Sequence, residues 1–442
     1  MEGGDMLSSV LRSANSHLIR YLAAALLREL AEEEAGPAFS VRFWDGSCTE
    51  PRHPPPFTLV LHDPSALRVL FDAPDELTLG ECFMRGHIDV EGDLQAAFAL
   101  AERLMTYQPS ATQQAILHRL AACLPEENTE MQGHLGEGDG ALHSRERDRA
   151  AIAYHYDVSN EFYRLWLDRS MLYSAGYFER TDDTLEAAQL HKLDYLCRKL
   201  RLQPGEKLLD IGCGWGGLIL HAASHYGVEA CGVTVSVRQA ELAQERIEAA
   251  GMSSRCAVRI CDYRDLEGAE RYDKICSIGM FEHVGEPMLG SYFEQAWRML
   301  RPGGVFLNSG IAASATYRRP GASFIDEYVF PDGDLVPLYS ALQQAERCGF
   351  EVRDVEELRE HYALTLDRWV EALERHSDEA KRHTGDMTYR IWRLYMAAAA
   401  RAFRQGRIHL YHTLLSKPEA GECHLPLTRT DWYEDTVQAR AA

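Results

Sequence analysis

The chain has 442 residues, of which 46% are hydrophobic and 26% are charged, and its formal net charge at pH 7 is −21. A chain of this length can bury the cores of two or three domains, and its composition is that of a globular protein. The negative charge argues against nonspecific binding to nucleic acid.

The N-terminal segment MEGGDMLSSVLRSANSHL is polar and does not resemble a secretory signal. The best apolar run, Tyr21 to Leu27, is far shorter than the roughly 20 residues that span a bilayer. The eleven cysteines are scattered without C-x-x-C pairs, and no histidine–cysteine cluster lies near Cys256 and Cys261. We therefore expect a cytoplasmic protein with reduced thiols, no disulfides and no zinc site.

Residues 1 to about 35 carry apolar residues at helical spacing, which predicts a helix that ends at Gly36 and Pro37. Two short strands, FSVRFWDGSC and HPPPFTLVLHD, follow around a proline-rich loop, and short helices alternate with turns after them. We expect residues 1–124 to form a small α+β domain that presents substrate or pairs subunits. Residues 125–148 are polar and glycine-rich, which indicates a flexible linker.

Residues 149–442 begin with a dense set of aromatics and a long helix, and then alternate strands with helices. Such an alternation predicts a parallel, doubly wound α/β sheet that binds ligands at the carboxyl ends of its strands. Four loops converge at those ends, and they contain Gly212–Gly217, Thr234–Gln239, Asp262–Tyr263 and Gly279–Glu282. The sequence therefore predicts a catalytic domain with a cofactor site at that edge of the sheet.

The first loop belongs to KLLDIGCGWGG, Lys207–Gly217, whose pattern predicts a strand, a tight turn and a helix. Its glycines permit positive φ and close approach of a ligand, and the helix N-terminus offers unpaired N–H groups. The spacing differs from the dinucleotide fingerprint G-x-G-x-x-G, and the phosphate loop G-x-x-x-x-G-K-[ST] is absent from the sequence. An adenosine ligand without a pyrophosphate is favoured, and S-adenosylmethionine is the common one, although such a turn can also be purely structural.

A predicted helix over Met387–Phe403 carries apolar residues on one side and basic residues on the other. The basic residues, which lie within roughly 60° of one another at 100° per residue, are Arg390, Arg393, Arg401 and Arg404. In an acidic chain, this basic stripe predicts either an ordinary solvated surface or a contact with anionic lipid headgroups.

From about Tyr154 to about Arg407, the chain resembles the cyclopropane fatty acid synthase family and its mycolic acid methyltransferase relatives. Seven motifs carry the resemblance in order, namely HYDVSNEFY, MLYSAGYF, LLDIGCGWGG, GVTVSVRQ, DYRDL, GMFEHVG and HYALTLDRW. The resemblance implies a Rossmann-like class I S-adenosylmethionine methyltransferase fold with helical insertions that bind an acyl chain. It also implies methyl(ene) transfer to the cis double bond of an unsaturated phospholipid acyl chain, which yields a cyclopropane fatty acid.

The resemblance assigns the cofactor site to residues at the strand ends and in the segment before the long helix. These residues are Tyr173, Ser174, Gly212, Gly214, Thr234, Gln239, Tyr263, Ile278 and Gly279. Two acidic residues complete the predicted site, since Asp210 can order the turn or reach the amino group through a water, and Asp262 precedes Tyr263. Each polar side chain in this set could equally serve as a strand-end cap.

An unactivated alkene is a weak nucleophile, so the enzyme must hold it in line with the methyl group in a dry pocket and stabilise a carbocation. Aromatic faces can stabilise the cation without capturing it. The candidates, each of which could also be plain core, are Tyr156, Phe162, Tyr163, Tyr177, Phe178, Phe281 and Tyr362. A base must then remove a proton from the added methyl group before the ring closes.

The resemblance attributes this base to a bound bicarbonate, held by a glutamate, a histidine, a tyrosine and backbone amides. The matching catalytic positions are Glu282, Tyr362, Ser309, Ala175 and Ile311. Two of them depart from the family pattern, because Ala175 replaces a cysteine and Ser309 replaces the histidine. A backbone N–H survives the first change, but serine has no titratable nitrogen, and His361 or His283 are the candidate substitutes.

The two departures leave several outcomes open. An altered base site could give methylene-bearing or methyl-branched chains, and the acceptor could instead be a non-lipid alkene such as a small isoprenoid or polyketide. An inactive module that retains the cofactor fold is a third hypothesis. The expected partners are unsaturated phospholipid acyl chains at the anionic inner surface of the membrane, with a homodimer as one option and without nucleic acid.

Overall fold

The computed structural model describes residues 20, 23, 39–49, 54–71, 74–122, 124, 144, 147, 158–316, 323–330 and 333–433. The chain divides into two compact units. The first unit contains Met1–Leu135, Pro320–Tyr328 and Gly385–Ala398, and the second contains the rest. Nearly all of the predicted first helix and of the predicted linker lies outside the described residues.

The first unit contains a three-stranded sheet in the order β1-β2-β3. Its strands are β1 (Phe39–Arg42), β2 (Phe57–Leu61) and β3 (Ile88–Gly92). β1 pairs with β2 in parallel, and β3 pairs with β2 antiparallel. The two predicted strands are confirmed, whereas β3 was predicted as part of a helix-and-turn segment. Ile88 and Val90 are buried while Asp89 between them is not, which is the alternation of a short strand.

Two helices of the first unit lie between β2 and β3 in sequence, two follow β3, and a fifth comes from the segment Pro320–Tyr328. They are α1 (Ala66–Phe71), α2 (Glu76–Met84), α3 (Leu94–Thr106), α4 (Ala111–Ala122) and α10 (Phe324–Tyr328). Acidic side chains start two of them, because Asp75 accepts from the Thr78 N–H in a capping box and Asp93 accepts from the Gln95 N–H. Such caps satisfy N–H groups that have no partner inside the helix.

The second unit is built on a seven-stranded sheet in the order β6-β5-β4-β7-β8-β10-β9. The strands are β4 (Lys207–Ile211), β5 (Glu229–Thr234), β6 (Cys256–Ile260), β7 (Tyr272–Ile278), β8 (Leu300–Ala313), β9 (Glu351–Glu357) and β10 (Ile408–Ser416). β10 runs antiparallel to both of its neighbours, and β6, β5, β4, β7 and β8 pair in parallel. The predicted doubly wound α/β sheet is confirmed.

Helices of the second unit cover both faces of this sheet. They are α5 (Asn160–Arg164), α6 (Leu185–Lys199), α7 (Gly217–Tyr226), α8 (Val237–Ala249), α9 (Leu289–Met299), α11 (Leu338–Arg347), α12 (Arg359–Arg375), α13 (Ser377–Thr384) and α15 (Thr430–Tyr433). Leu208 packs with α6 and α7 on one face, and its neighbour Leu209 packs with α9 on the other. The adjacent apolar pair Leu208 and Leu209 thus covers both faces of β4, as expected for a strand buried on both sides.

The remaining helix, α14 (Asp386–Arg404), carries the predicted basic stripe, and its residues belong to the first unit up to Ala398. Arg390 and Arg393 are only 9% and 8% exposed. Their guanidinium groups donate to the two oxygens of Asp89 at 2.8 and 3.1 Å and lie over the Phe83 ring. The lipid-facing interpretation is therefore wrong for these two arginines, because Asp89 pairs with them in the interior of the first unit.

The rest of the stripe lies in the second unit, where Arg404 is paired with Asp367. Within the part of the chain that the structure describes, every helix is too short or too polar to cross a bilayer.

Candidate active site

The glycine turn follows β4 and leads directly into α7. Gly212, Gly214 and Gly216 all have positive φ, at +80°, +53° and +77°, a conformation that side chains with a Cβ rarely adopt. A Cβ on Gly212 would lie 2.8 Å from the Cβ of Met280, whereas a Cβ on Gly214 would meet nothing within 4 Å. The turn therefore packs closely under Met280 and leaves open space above Gly214.

That space is a cavity of about 140 Å³ at the carboxyl ends of β4, β5, β6 and β7. The structure brings together around it every residue predicted for the cofactor. These residues are Tyr173, Ser174, Asp210, Gly212, Gly214, Thr234, Gln239, Asp262, Tyr263, Ile278 and Gly279. They come from five separate stretches of chain, which the strand order places side by side.

Lys192 also lines the cavity, although the sequence analysis did not single it out. Its Nζ donates to Ser174 Oγ at 2.9 Å, and Gln189 Nε2 donates to the Ser174 carbonyl at 2.9 Å. Burial lowers the pKa of Lys192 to about 8. The sequence did carry a signal, because Lys192 lies four residues after Ala188 and four before Leu196, on the buried stripe of α6.

Asp210 is the acidic residue at the end of β4, and it is buried at the floor of the same cavity. Cys276 Sγ donates to its Oδ1 at 3.4 Å. Burial raises the pKa of Asp210 to about 7. The cavity therefore holds two buried groups of opposite sign, Lys192 and Asp210, whose charges a bound ligand would feel strongly.

At the other end of the cavity, the polar side chains are already engaged with one another. Thr234 Oγ1 donates to Gln239 Oε1 at 2.8 Å. Asp262 accepts from the Arg264 N–H at 2.9 Å and from Arg264 Nη2 at 2.6 Å. Asp262 thus acts as the strand-end cap that the sequence analysis left as an alternative, and it also lines the cavity.

Glu282 lies just past β7, in a short 3-10 turn over Phe281–His283. Its Oε1 accepts a hydrogen bond from the backbone N–H of Ile311 at 2.8 Å, so two of the five predicted catalytic positions are in contact. Its Oε2 is buried and has no hydrogen-bond partner among the described residues. Burial raises the pKa of Glu282 to about 7, despite the hydrogen bonds that favour the carboxylate.

Ser309 lies two residues before Ile311 on β8 and is 2% exposed. Its carbonyl accepts from the N–H of Gly279, the residue directly after β7, at 3.0 Å, and its cross-strand partner on β10 is His412. Ser309 and His412 therefore form a non-hydrogen-bonded antiparallel pair, in which the Cα atoms approach to about 4.5 Å and side chains are close.

His412 is a residue that the sequence analysis missed, because it lies far along the chain on the reversed strand. It is 4% exposed, and its Nδ1 is buried without a hydrogen-bond partner among the residues described. Burial, together with the nearby Lys199 and Lys192, lowers the pKa of His412 well below its ordinary value. The imidazole that Ser309 lacks is thus present on the adjacent strand.

The two histidines proposed as substitutes occupy other positions. His361 Nδ1 accepts from the Phe178 N–H at 3.0 Å, so this nitrogen already holds the backbone of the MLYSAGYF segment. His283 lines the cofactor cavity, and burial lowers its pKa to about 4. Both histidines are therefore neutral at pH 7, and His361 has a positioning contact of its own.

Tyr362 and Ala175 lie along the contact between α12 and the MLYSAGYF segment. The Gly176 N–H, directly after Ala175, donates to Thr365 Oγ1 at 2.9 Å, less than one turn from Tyr362. The Tyr362 ring packs against Phe403 with a centroid distance of 4.7 Å. Helix α12 therefore positions both the tyrosine and the segment that carries Ala175.

None of the candidate aromatics among the described residues lines the cofactor cavity. Phe162, Tyr163, Phe178 and Phe281 are buried and pack on neighbouring rings or chain, so their positions are those of ordinary core residues. Tyr173 and Trp215, which were not among these candidates, do line the cavity, and Trp215 Nε1 donates to Asn160 Oδ1 at 2.8 Å. Tyr177 stacks on His361 at 4.8 Å, and Tyr156 lies outside the described residues.

A largely parallel seven-stranded sheet with one reversed strand, a glycine turn after β4 and a cavity at the strand ends define a class I S-adenosylmethionine-dependent methyltransferase. The family model described as mycolic acid cyclopropane synthetase matches residues 143–413. The chain therefore belongs to this family of S-adenosylmethionine methyltransferases, as the seven motifs indicated. A second model, a domain of unknown function (DUF7884), matches residues 26–108.

Individual relatives agree with this assignment. The chain is 40% identical over 398 residues to a probable fatty acid methyltransferase of Pseudomonas putida, which covers 89% of this chain and 95% of the relative. It is 37% identical over 276 residues to the cyclopropane-fatty-acyl-phospholipid synthase of Escherichia coli (strain K12), and the match covers 62% of this chain and 70% of that relative. Mycolic acid cyclopropane synthase CmaA1, solved in complex with SAH and CTAB, matches the structure with a TM-score of 0.57 at 34% identity. The match covers 60% of this chain and 97% of that structure's chain.

Proposed function

We propose that this protein transfers a methyl(ene) group from S-adenosylmethionine to the cis double bond of an unsaturated phospholipid acyl chain, giving a cyclopropane fatty acid. The observation that carries the proposal is the buried carboxylate of Glu282, which uses one oxygen on Ile311 and leaves the other unpartnered among the described residues. Its sequence neighbour His283 lines the cofactor cavity, which supports a position of this carboxylate near the methyl donor. The lipid acceptors named for the Pseudomonas putida and Escherichia coli relatives support the same substrate class.

The residues around the cavity fit S-adenosylmethionine. Open space lies above Gly214, and the lining combines aromatic rings with the buried ammonium group of Lys192 and the buried carboxylate of Asp210. When bound there, the cofactor supplies an electrophilic methyl group on a sulfonium. With the cofactor bound, Tyr173 and Trp215 would exclude water and offer aromatic rings to the sulfonium cation, while Gly212 and Gly214 would let the backbone approach the cofactor.

Glu282, together with the Ser309–His412 pair of β8 and β10, also fits a small oxyanion such as bicarbonate, which would supply a proton acceptor. Two buried polar atoms, Glu282 Oε2 and His412 Nδ1, lack hydrogen-bond partners among the described residues. The proposal assigns Glu282 and His412 to hold that acceptor, with Tyr362 and the backbone N–H after Ser174 completing its surroundings. His412 thereby takes the place of the histidine that the family carries at the position of Ser309.

A different product is the second candidate, and Ser309 favours it. Serine provides no titratable nitrogen at a buried position of β8, so the carbocation could lose another proton and leave either a methylene group or a methyl branch on a chain that keeps its double bond. Glu282 and Ile311 are in contact in either case. Methyl transfer is common to both candidates, and only the fate of the proton distinguishes them.

The acceptor lies in a membrane, so the proposal includes peripheral contact with a bilayer of anionic, unsaturated phospholipid. Arg390 and Arg393 do not provide that contact, because they are buried against Asp89. Sedimentation with vesicles of phosphatidylglycerol and of phosphatidylcholine, both with unsaturated chains, tests the contact. Binding to neither vesicle would contradict it.

The deciding experiment is expression in a host without such activity, followed by mass spectrometry and proton NMR of its lipids. A mass gain of one CH2 with cyclopropyl protons supports ring formation, and the same gain with vinylidene protons indicates a methylene product. A further gain of two hydrogens indicates a saturated methyl branch, which requires that a reductase of the host reduce the methylated alkene afterwards. Unchanged lipids, together with methyl transfer to a soluble alkene, would contradict the proposed acceptor.

A further inference from the structure

The cofactor cavity contains a buried ammonium group without a carboxylate partner. Lys192 is 3% exposed, and its Nζ donates to Ser174 Oγ at 2.9 Å. Among the described residues it forms no ion pair, whereas the buried lysines Lys199 and Lys274 pair with carboxylates at 2.7 and 3.8 Å. Because an unpaired buried charge is costly, the cavity around Lys192 is arranged for an anion.

Other cations of the lining do not compete for that anion. Arg264 is already paired with Asp262 at 2.6 Å, at the far end of the cavity. His283 is buried, and an uncharged imidazole offers a weaker attraction than an ammonium group. Lys192 is therefore the cation in this lining that has no carboxylate partner among the described residues.

Asp210 supplies the opposite charge in the same cavity. It acts electrostatically on Lys192, as does the buried Asp168, but neither carboxylate comes within ion-pair distance of the ammonium group. Two opposite charges that face one cavity without touching match a zwitterion, which carries an ammonium and a carboxylate on one carbon. The methionyl end of S-adenosylmethionine is such a zwitterion. Its carboxylate would meet the ammonium of Lys192, and its ammonium would face Asp210.

We infer that Lys192 and Ser174 together bind the methionyl carboxylate of S-adenosylmethionine and thereby fix where its methyl group lies. Helix α6 holds both partners, since Gln189 binds the Ser174 carbonyl at 2.9 Å one turn before Lys192. This inference rests on the proposed cofactor site and adds to it the residue that recognises the amino acid end.

Calorimetric binding to the full chain tests the inference with two probes. S-adenosylhomocysteine carries the carboxylate, and decarboxylated S-adenosylhomocysteine keeps the ammonium and lacks only the carboxylate. Lys192→Met should weaken binding of the first probe roughly 30-fold or more, and of the second by less than about threefold. The losses of binding free energy caused by removing the lysine and by removing the carboxylate should therefore be strongly non-additive.

Lys274→Met is the matched control, because it removes another buried lysine of the same unit that lies outside the cavity lining. It should leave the affinity ratio of the two probes unchanged. Lys192→Arg should retain most of the preference for the carboxylate, and Ser174→Ala should lose part of it with α6 intact. These two variants test the inference even if Lys192→Met is unstable.

Equal losses for both probes in Lys192→Met, or an unchanged affinity for S-adenosylhomocysteine, would overturn the inference. Failure of the wild-type chain to bind either probe would instead contradict the proposed cofactor site itself. The two failures are thereby distinguishable.

Discussion

Glu282 and Ile311 are joined by a 2.8 Å hydrogen bond that replaces a rung of the β7–β8 ladder. The last backbone rung runs from the Gly279 N–H to the Ser309 carbonyl, and Gly279 then turns away with a φ of +71°. The N–H of Ile311 is the next to face β7, and the glutamate carboxylate satisfies it. The Glu282 side chain is thereby held at the end of the β7–β8 ladder by Oε1, and Oε2 is left for another partner.

Glu282→Gln should lower turnover by about 100-fold or more, because the amide cannot accept a proton or hold a proton acceptor as a carboxylate does. The affinity for S-adenosylhomocysteine should stay within about threefold of wild type. Product formation on unsaturated phospholipid vesicles and calorimetric binding provide the two measurements. The matched control is Glu286→Gln, an exposed glutamate four residues later. Wild-type turnover in Glu282→Gln would remove this residue from catalysis.

The same substitution should stabilise the fold at alkaline pH. The pKa of Glu282 is raised to about 7 in the folded chain, so the ionised side chain destabilises the folded state increasingly as pH rises from its unfolded pKa toward 7. Glutamine keeps the bond to Ile311 and removes this cost. The free energy of unfolding should rise by about 2–4 kcal/mol at pH 8 and be unchanged near pH 4. Urea unfolding at both pH values measures it, and lower stability at pH 8 would contradict the burial argument.

Exchanging the residues of the Ser309–His412 pair should show whether the imidazole matters. His412→Gln should lower the fraction of methyl transfers that end in a ring by about tenfold or more. Adding Ser309→His should restore much of that fraction, because the two positions are cross-strand partners. The readout is the ratio of cyclopropane to released S-adenosylhomocysteine. The control is His409→Gln on the same strand, whose Nδ1 pairs with Glu357 at 2.8 Å. An unchanged ratio in His412→Gln would exclude the role.

Alanine substitutions at two glycines should distinguish the effect of backbone strain on stability from the effect of filling the cofactor cavity on binding. Gly214 and Gly251 have φ values of +53° and +68°, and a Cβ on either would meet nothing within 4 Å. Alanine at each should cost about 1 kcal/mol of stability. Only Gly214 lines the cavity, so Gly214→Ala should also weaken S-adenosylhomocysteine binding by about tenfold or more. Equal affinities in the two variants would show that the cavity above Gly214 is not the cofactor site.

Asp89→Asn should destabilise the first unit, because it leaves the buried guanidinium groups of Arg390 and Arg393 without their shared carboxylate. We expect a loss of about 2–3 kcal/mol, discounted for the partial exposure of Asp89. Glu91→Gln on the same strand removes an exposed pair with Arg42 and should cost less than about 1 kcal/mol. Urea unfolding of the full chain compares them. Similar losses in both variants would show that burial adds nothing at Asp89.

Much of the site is predictable from local sequence. The run LLDI followed by glycines predicts β4 and its turn. Burial on both faces of the sheet favours adjacent apolar residues, and positive φ in the turn favours glycine. Alternating strands and helices then place Thr234, Asp262 and Gly279 at one edge, which agrees with the cavity lining. These features depend on neighbours in sequence, and sequence periodicity reports neighbours well.

The residues that sequence reasoning missed depend on distant parts of the chain. His412 faces Ser309 only because β10 runs backwards between β8 and β9, and residue periodicity does not specify strand order. The sequence of α14 predicts an exposed basic stripe, but Arg390 and Arg393 are buried because they bind Asp89, which lies some 300 positions earlier in the sequence. Lys192 was partly predictable, because the sequence places it on the apolar stripe of α6 but does not show that it binds Ser174.

The reversed strand β10 also sets an order for the assembly of the site during synthesis. Every residue that lines the cofactor cavity lies between Met171 and His283, so that half can form while the C-terminal part is still being made. The neighbour of Ser309 arrives only with residue 412, when β10 inserts beside β8. A nascent or truncated chain that ends before β10 would therefore carry the cofactor cavity without His412, and would leave the β8 edge open to pairing with other chains.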